Sequence, residues 1–441
     1  MSAVSSRIGG LVPGRGTIRT YMAIVAVMTF AQALIWGVNT LFLLDAGLDI
    51  FGVMVANAAF AAGQVLFEVP TGVVADTVGR RASYLLCVAI LFVATLLYVW
   101  LGAIHAGLTA FVLASVLLGL GYTFFSGAVE AWMVDALGHE DYEGKVDIVF
   151  SRGGMAQGAA MLSGAVIGGF LGQLDLAIPY VARAVMLVPA AIIGIFLMRD
   201  LGFTPRRFRL SRLGEETRTI AAAGIKYGVQ SSVVRPLMLA GLLQGAFFMY
   251  GFYSWQVYFL DLLGQDLVWV NGVIAALVGL SGIAGAALVG PLSRLHLRRS
   301  TIVFTTMALQ AVVIVLAALL QVFWVAVPLY LLATLAYGVQ APVRQAWLNA
   351  RIPSAQRATI ISLDAMFLEA GGVGGQVGLG YLARAVSIPA SWVVGGAIQL
   401  AALPLIWKAR QAAAADPPDT SAPGDAPQPD CSRPVAGQRT C

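Results

Sequence analysis

Two carboxylates, Asp364 and Glu369, stand in a stretch (358–384) made mostly of apolar and small residues. Inside a hydrocarbon layer each ionisable group costs about 3 kcal/mol on insertion scales, so its presence there implies a use. A carboxylate removed from water binds a proton more readily, and can load it on one side of a barrier and release it on the other. Glu369 lies about eleven residues into the stretch, and Asp364 about a turn and a half before it. Both are candidates for proton coupling, with static pairing to a polar neighbour as the alternative. A second charged set surrounds Gly72-Val-Val-Ala-Asp76-Thr-Val-Gly79-Arg80-Arg81. Arg80 and Arg81 cannot be drawn into hydrocarbon and should pin a turn at an interface. Glu68, Asp76, Arg80, Glu130, Asp135 and Arg152 are expected to meet there as an ion-pair cluster, either a static knot or a gate. Arg183, one to two turns inside its own apolar run, reads as a snorkelling side chain rather than an anion site.

Other chemistries lack their residues. The three cysteines and three histidines show no zinc spacing, and neither a nucleophile motif nor a Gly-x-x-x-x-Gly-Lys-Ser/Thr phosphate loop is present. No metal or cofactor is expected, and an enzyme or ATP-driven pump is disfavoured.

The elements that must position these groups are membrane spans. Hydrophobic residues make up 59% of the 441 and charged residues 11%, less than half the charged share of a soluble domain. The apolar excess must face lipid. Spans of about 20 residues are read at roughly 21–44, 50–73, 82–102, 107–133, 148–172, 178–198, 236–260, 268–290, 301–321, 325–347, 358–384 and 388–407. The first is too long for a cleaved signal. The fold class is therefore an all-α polytopic membrane protein of twelve transmembrane helices. Lys and Arg fall almost wholly on one side, which predicts both termini in the cytoplasm and placement in the cell membrane. The net charge of +5 follows from that bias and does not call for nucleic acid. The expected organisation is an N-terminal segment (1–20), a six-helix bundle (21–198), a basic linker on the inner leaflet (199–235), a second bundle (236–407) and a disordered tail (408–441).

The halves repeat. Gly72, Asp76, Arg80 and Arg81 close span two as Gly290, Arg294, Arg298 and Arg299 close span eight, and Glu130-Ala131-Trp132 answers Gln345-Ala346-Trp347. Duplicated halves of this kind carry a substrate site between them and rock about it.

With twelve spans and this repeat, the Gly72–Arg81 loop resembles the signature loop of the major facilitator superfamily. Phe67-Glu68-Val69-Pro70-Thr71 and the segment ending in Glu130-Ala131-Trp132 are similar to a subgroup of bacterial members labelled as drug exporters. The resemblance implies that Asp76 latches onto the N-terminus of span eleven near Ala358 in the outward-open state. It also implies a cavity lined by spans one, four, seven and ten: Gln32, Trp36 and Asn39; Gln244, Phe248, Phe252 and Trp255; Tyr337, Gln340 and Arg344. Two family features of proton antiporters are missing. Span four has no arginine, and Gly164-Ala165-Val166-Ile167-Gly168-Gly169 lacks the proline of the span-five kink. An apolar, aromatic cavity with a few amides suits an amphipathic small molecule. The expected function is secondary transport by alternating access, acting as a monomer, with proton-coupled efflux of such molecules ahead of proton symport of a metabolite. A receptor or membrane enzyme stands last.

Overall fold

The structure is a computed structural model that describes residues 14–203 except 126, residue 228, 230–353 except 296, and 356–415. The expectations for the basic linker's centre and for the tail beyond Ala415 lie outside the described residues, while 408–415, expected as the start of a disordered tail, continue the last helix. The helices are α1 (Arg15–Ala33), α2 (Asn39–Asp45), α3 (Ile50–Thr77), α4 (Arg80–Ala103), α5 (Leu108–Thr123), α6 (Ala128–His139), α7 (Val146–Leu174), α8 (Ile178–Phe196), α9 (Val234–Leu263), α10 (Val268–Ser293), α11 (Arg299–Leu320), α12 (Phe323–Asn349), α13 (Arg357–Ala385) and α14 (Ile388–Ala415). Among the described residues, ten stretches, α5 and α6 taken together as one, are long and apolar enough to cross a membrane. The remaining two spans fall short for visible reasons. The first is interrupted between α1 and α2, and α13 carries Arg357, Asp364, Glu369 and Arg384 besides six glycines.

Two expected spans are thus broken helices. Between α1 and α2 the N–H groups of Ile35, Trp36 and Val38 bond three residues back, to Gln32, Ala33 and Ile35, instead of four. Between α5 and α6 the chain turns at Gly127, whose φ of +70° suits glycine. Such interruptions are tolerated at membrane depth where protein or a cavity re-satisfies the backbone.

Packing repeats the sequence duplication. In the first half, α1 of the broken span one packs on α7 and α8, α3 on α5, and α4 on α5 and α8. In the second half, α9 packs on α13 and α14, α10 on α12, and α11 on α12 and α14. Each contact in one bundle has its counterpart six spans later. The bundles meet through α3 against α13 and α7 against α10, two contacts exchanged by the same symmetry. Where α7 meets α10 the backbones are in near contact: a Cβ on Gly169 would stand 2.6 Å from the Cα of Gly272. Large apolar side chains such as Leu113, Phe196, Leu319 and Trp324 stand exposed on the outer surface, where lipid would cover them.

Among the described residues, the bundles share a core at one end. At the end bearing Asp45 and Asp49, one continuous core runs from the first bundle into Phe247, Tyr250, Phe259 and Trp392 of the second. At the end bearing the arginines, the second bundle has its own core around Leu237, Val303, Trp347 and Ile406. The seal at the acidic end is polar as well as apolar. Gln256 accepts from the Thr40 N–H at 2.9 Å and donates to the Trp36 carbonyl at 2.9 Å; Thr40 Oγ1 donates to the Tyr253 carbonyl at 2.8 Å; Arg384 pairs with Asp49 at 3.2 Å. Among the described residues, no hydrogen bond or ion pair joins the bundles at the arginine-rich end.

Candidate functional site

Between the bundles lies a chain of connected hollows. The central one is narrow, with a cavity volume of about 70 Å³, and is lined by Gln32, Trp36, Asn39, Asn57, Tyr98, Tyr122, Arg183, Phe252 and Tyr253 among others. It shares Tyr122 with a mouth at Gln64, Gly127 and Glu130 on the arginine-rich side. It shares Trp36 and Phe252 with an aromatic chamber of about 340 Å³ that includes Phe248, Met161, Tyr330 and Tyr337. The chamber, unlike the narrow hollow beside it, is of the order that holds a small organic molecule.

Gln32, Trp36 and Asn39 therefore share one hollow, although the helix expected to align them is broken. Trp36 meets Phe252 edge-on at 5.7 Å, and Phe248 stacks on Tyr337 at 4.3 Å. Trp255 is placed elsewhere. It is buried among Phe259 and Tyr330 in the second bundle's core, because its turn of α9 lies in the sealed end above the hollow.

Gln244 and Gln340 exchange two hydrogen bonds of 3.0 Å, and Gln310 of α11 donates to Gln340 and to the Thr306 carbonyl. Arg344 and Asp364 are buried together and form a two-pronged pair at 2.7 and 2.6 Å; a third bond of 2.9 Å ties Arg344 to the Leu237 carbonyl. Arg344, expected in the substrate cavity, and Asp364, expected as a proton carrier, thus neutralise each other on the rim of a side pocket. Glu369 has no salt-bridge partner among the described residues. It is half-buried on α13, and the charge it feels across the bundle interface is that of Glu68 on α3.

The loop after α3 is held by ion pairs and backbone bonds. Arg80 pairs with Asp76 at 2.7 Å and approaches Asp135 at 3.9 Å. Arg81 donates to the Gly194 and Ile195 carbonyls at the C-terminus of α8, at 3.1 and 2.6 Å, where a cation complements the helix dipole. Asp200 accepts from the Arg81 N–H at 2.9 Å and so caps the N-terminus of α4. Gly79 has φ +132°, and a Cβ there would stand 2.5 Å from Asp200. Glu68, Glu130 and Arg152 make no salt bridge among the described residues, so three of the six expected cluster members assemble and three do not. Asp76 is engaged with Arg80 at the end where the bundles are parted. A Cβ on Gly72, or on its repeat counterpart Gly290, would meet nothing within 4 Å.

The sequence missed a set of groups in the first bundle. Tyr180 donates to Asn39 at 2.9 Å, and Asn39 donates to Asn57 at 3.0 Å. Tyr98 and Ser115 share a hydrogen bond. Arg183 is only 2% exposed; rather than snorkelling outward, it lines the central hollow. Its guanidinium donates to the Tyr122 hydroxyl at 3.2 Å and lies 5.7 Å from that ring's centroid. Hydroxyls on three apolar spans were the available signal, but single tyrosines are also common at membrane interfaces.

Comparisons with known proteins agree with this architecture. The chain is 24% identical over 367 residues to the tetracycline resistance protein, class G, of Vibrio anguillarum, an alignment covering 79% of this chain and 85% of that protein. Its fold superposes on a crystal structure of the nucleoside transporter NupG with TM-score 0.72 at 11% identity, covering 90% and 99% of the two chains. A crystal structure of the peptide transporter POT gives TM-score 0.69 at 16% identity, covering 90% and 94%. Residues 21–339 match the family model of the Major Facilitator Superfamily. With its duplicated bundles around a shared cavity, the chain is a multi-pass membrane transporter that belongs to that superfamily.

Proposed function

We propose that the protein exports amphipathic small molecules across the cell membrane in exchange for protons, by alternating access. The observation that carries the reading is the one-ended cavity: sealed by Trp36, Thr40 and Gln256 at the acidic end, and parted at the arginine-rich end. If the arginine-rich end is cytoplasmic, as the charge bias of membrane proteins favours, this is an inward-facing carrier with both termini inside. The aromatic lining of Trp36, Phe248 and Phe252 suits a substrate with an apolar body. The similarity to a tetracycline resistance protein supports the outward direction. Coupling rests on Glu369 and Glu68. Two carboxylates facing each other across a closing interface repel unless one is protonated, so closing the inner end favours proton uptake.

The test is transport of a panel of amphipathic compounds in liposomes with an imposed pH gradient. Accumulation that collapses with the gradient is the expected outcome. Movement of every compound at a rate indifferent to the gradient defeats proton coupling.

A further inference from the structure

We infer that the cavity binds an organic anion, with Arg183 reading its charged group in the central hollow and the aromatic chamber beyond Trp36 and Phe252 holding its body. The inference rests on the transporter reading and names the substrate class of that same cavity. The described part of the bundles holds two nearly fully buried arginines, Arg183 and Arg344, 2% and 7% exposed. Arg344 has its counter-ion built in, Asp364, gripped by both prongs. Arg183 has none: among the described residues, no carboxylate lies within salt-bridge distance of it. Its hydrogen bond runs to a neutral hydroxyl, Tyr122. A guanidinium carries five donors in a planar fork shaped for carboxylate, sulfonate or phosphate, and one Tyr hydroxyl leaves most of that fork free toward the hollow.

A charge buried without a partner is a strong liability unless something arrives to pair with it. The remaining wall fits the rest of an organic anion. Gln32 and Asn39 offer amides, while Trp36, Phe60 and Phe252 offer ring faces and edges. Location adds a reason. Arg183 lines the hollow between Tyr122, which also borders the mouth, and Tyr180, one turn before it on α8, which hydrogen-bonds Asn39. Asn39 adjoins Thr40, which holds the seal to Gln256. An anion drawn to Arg183 would therefore lodge directly beneath the contacts that must part for release on the far side.

The probes are 2-naphthoate, naphthalene-2-sulfonate, neutral 2-naphthamide and cationic 2-naphthylmethylammonium, titrated calorimetrically against the full-length purified protein. The two anions should bind at least tenfold more tightly than the amide, and the cation most weakly. Arg183→Gln should bring the anions down to the amide's affinity without changing that of the amide, and Arg183→Lys should keep part of the preference. Equal affinity for acid and amide in the wild type, absence of saturable anion binding, or an unchanged ratio in Arg183→Gln overturns the inference. If Arg183→Gln does not fold, the wild-type ratio and the Lys variant decide. Counterflow of the same probes in liposomes separates the two readings. An Arg183-dependent preference without translocation sinks transport and leaves the site standing. Translocation of neutral probes without anion preference does the reverse.

Discussion

Four charged side chains in the second half and its partner face carry opposite duties. Arg344 and Asp364 stabilise; their bidentate geometry and the extra bond to Leu237 satisfy a pair that would otherwise be costly to bury. Removing one partner, as in Asp364→Asn, should destabilise the protein by about 3–5 kcal/mol because a buried guanidinium is left unpaired. Thermal unfolding in detergent reads this, and Arg344→Met with Asp364→Leu should recover most of the loss. Glu369 and Glu68 lack such a partner, and Glu369→Gln should abolish accumulation driven by a pH gradient while leaving exchange of pre-loaded substrate intact. Retained accumulation at the wild-type ratio would remove Glu369 from the coupling step. Neither duty was legible in the sequence. Asp364 and Glu369 look alike as carboxylates in one apolar stretch, and what divides them is Arg344, twenty residues away on another helix.

At the level of elements, hydropathy located the spans because a helix must hide its backbone from lipid over a fixed length. The same averaging concealed the break at 34–38, where side chains stay apolar and the hydrogen-bond pattern changes, and the turn at Gly127 within a long apolar run. The Gly72–Arg81 loop was legible as a charged turn but not as a brace, since its second anchor, Asp200, lies 119 residues beyond Arg81. That brace ties α4 to α8. Gly79→Ala forces a side chain into a left-handed conformation and against Asp200, and should cost about 1–3 kcal/mol. The loss should appear in thermal unfolding, and pairing it with Asp200→Ala should relieve the clash but not the backbone strain.

For the whole molecule, the duplication read from two short matches extends to every major helix contact, so the bundles are two equivalent bodies that meet at α3–α13 and α7–α10. Gly72 and Gly290 mark the equivalent places at the parted end. Replacing both with Leu should leave folding and probe binding unchanged yet hold the arginine-rich end open. Spin labels across that end should then keep a single long distance where the wild type samples a short one; an unaltered distance distribution would refute this. A residue without a side chain is ordinarily explained by what crowds it, and nothing crowds these two. What sets them apart from the other uncrowded glycines is their place, at equivalent points of the parted end. They leave there two bare patches of backbone against which another helix has room to come close when that end shuts.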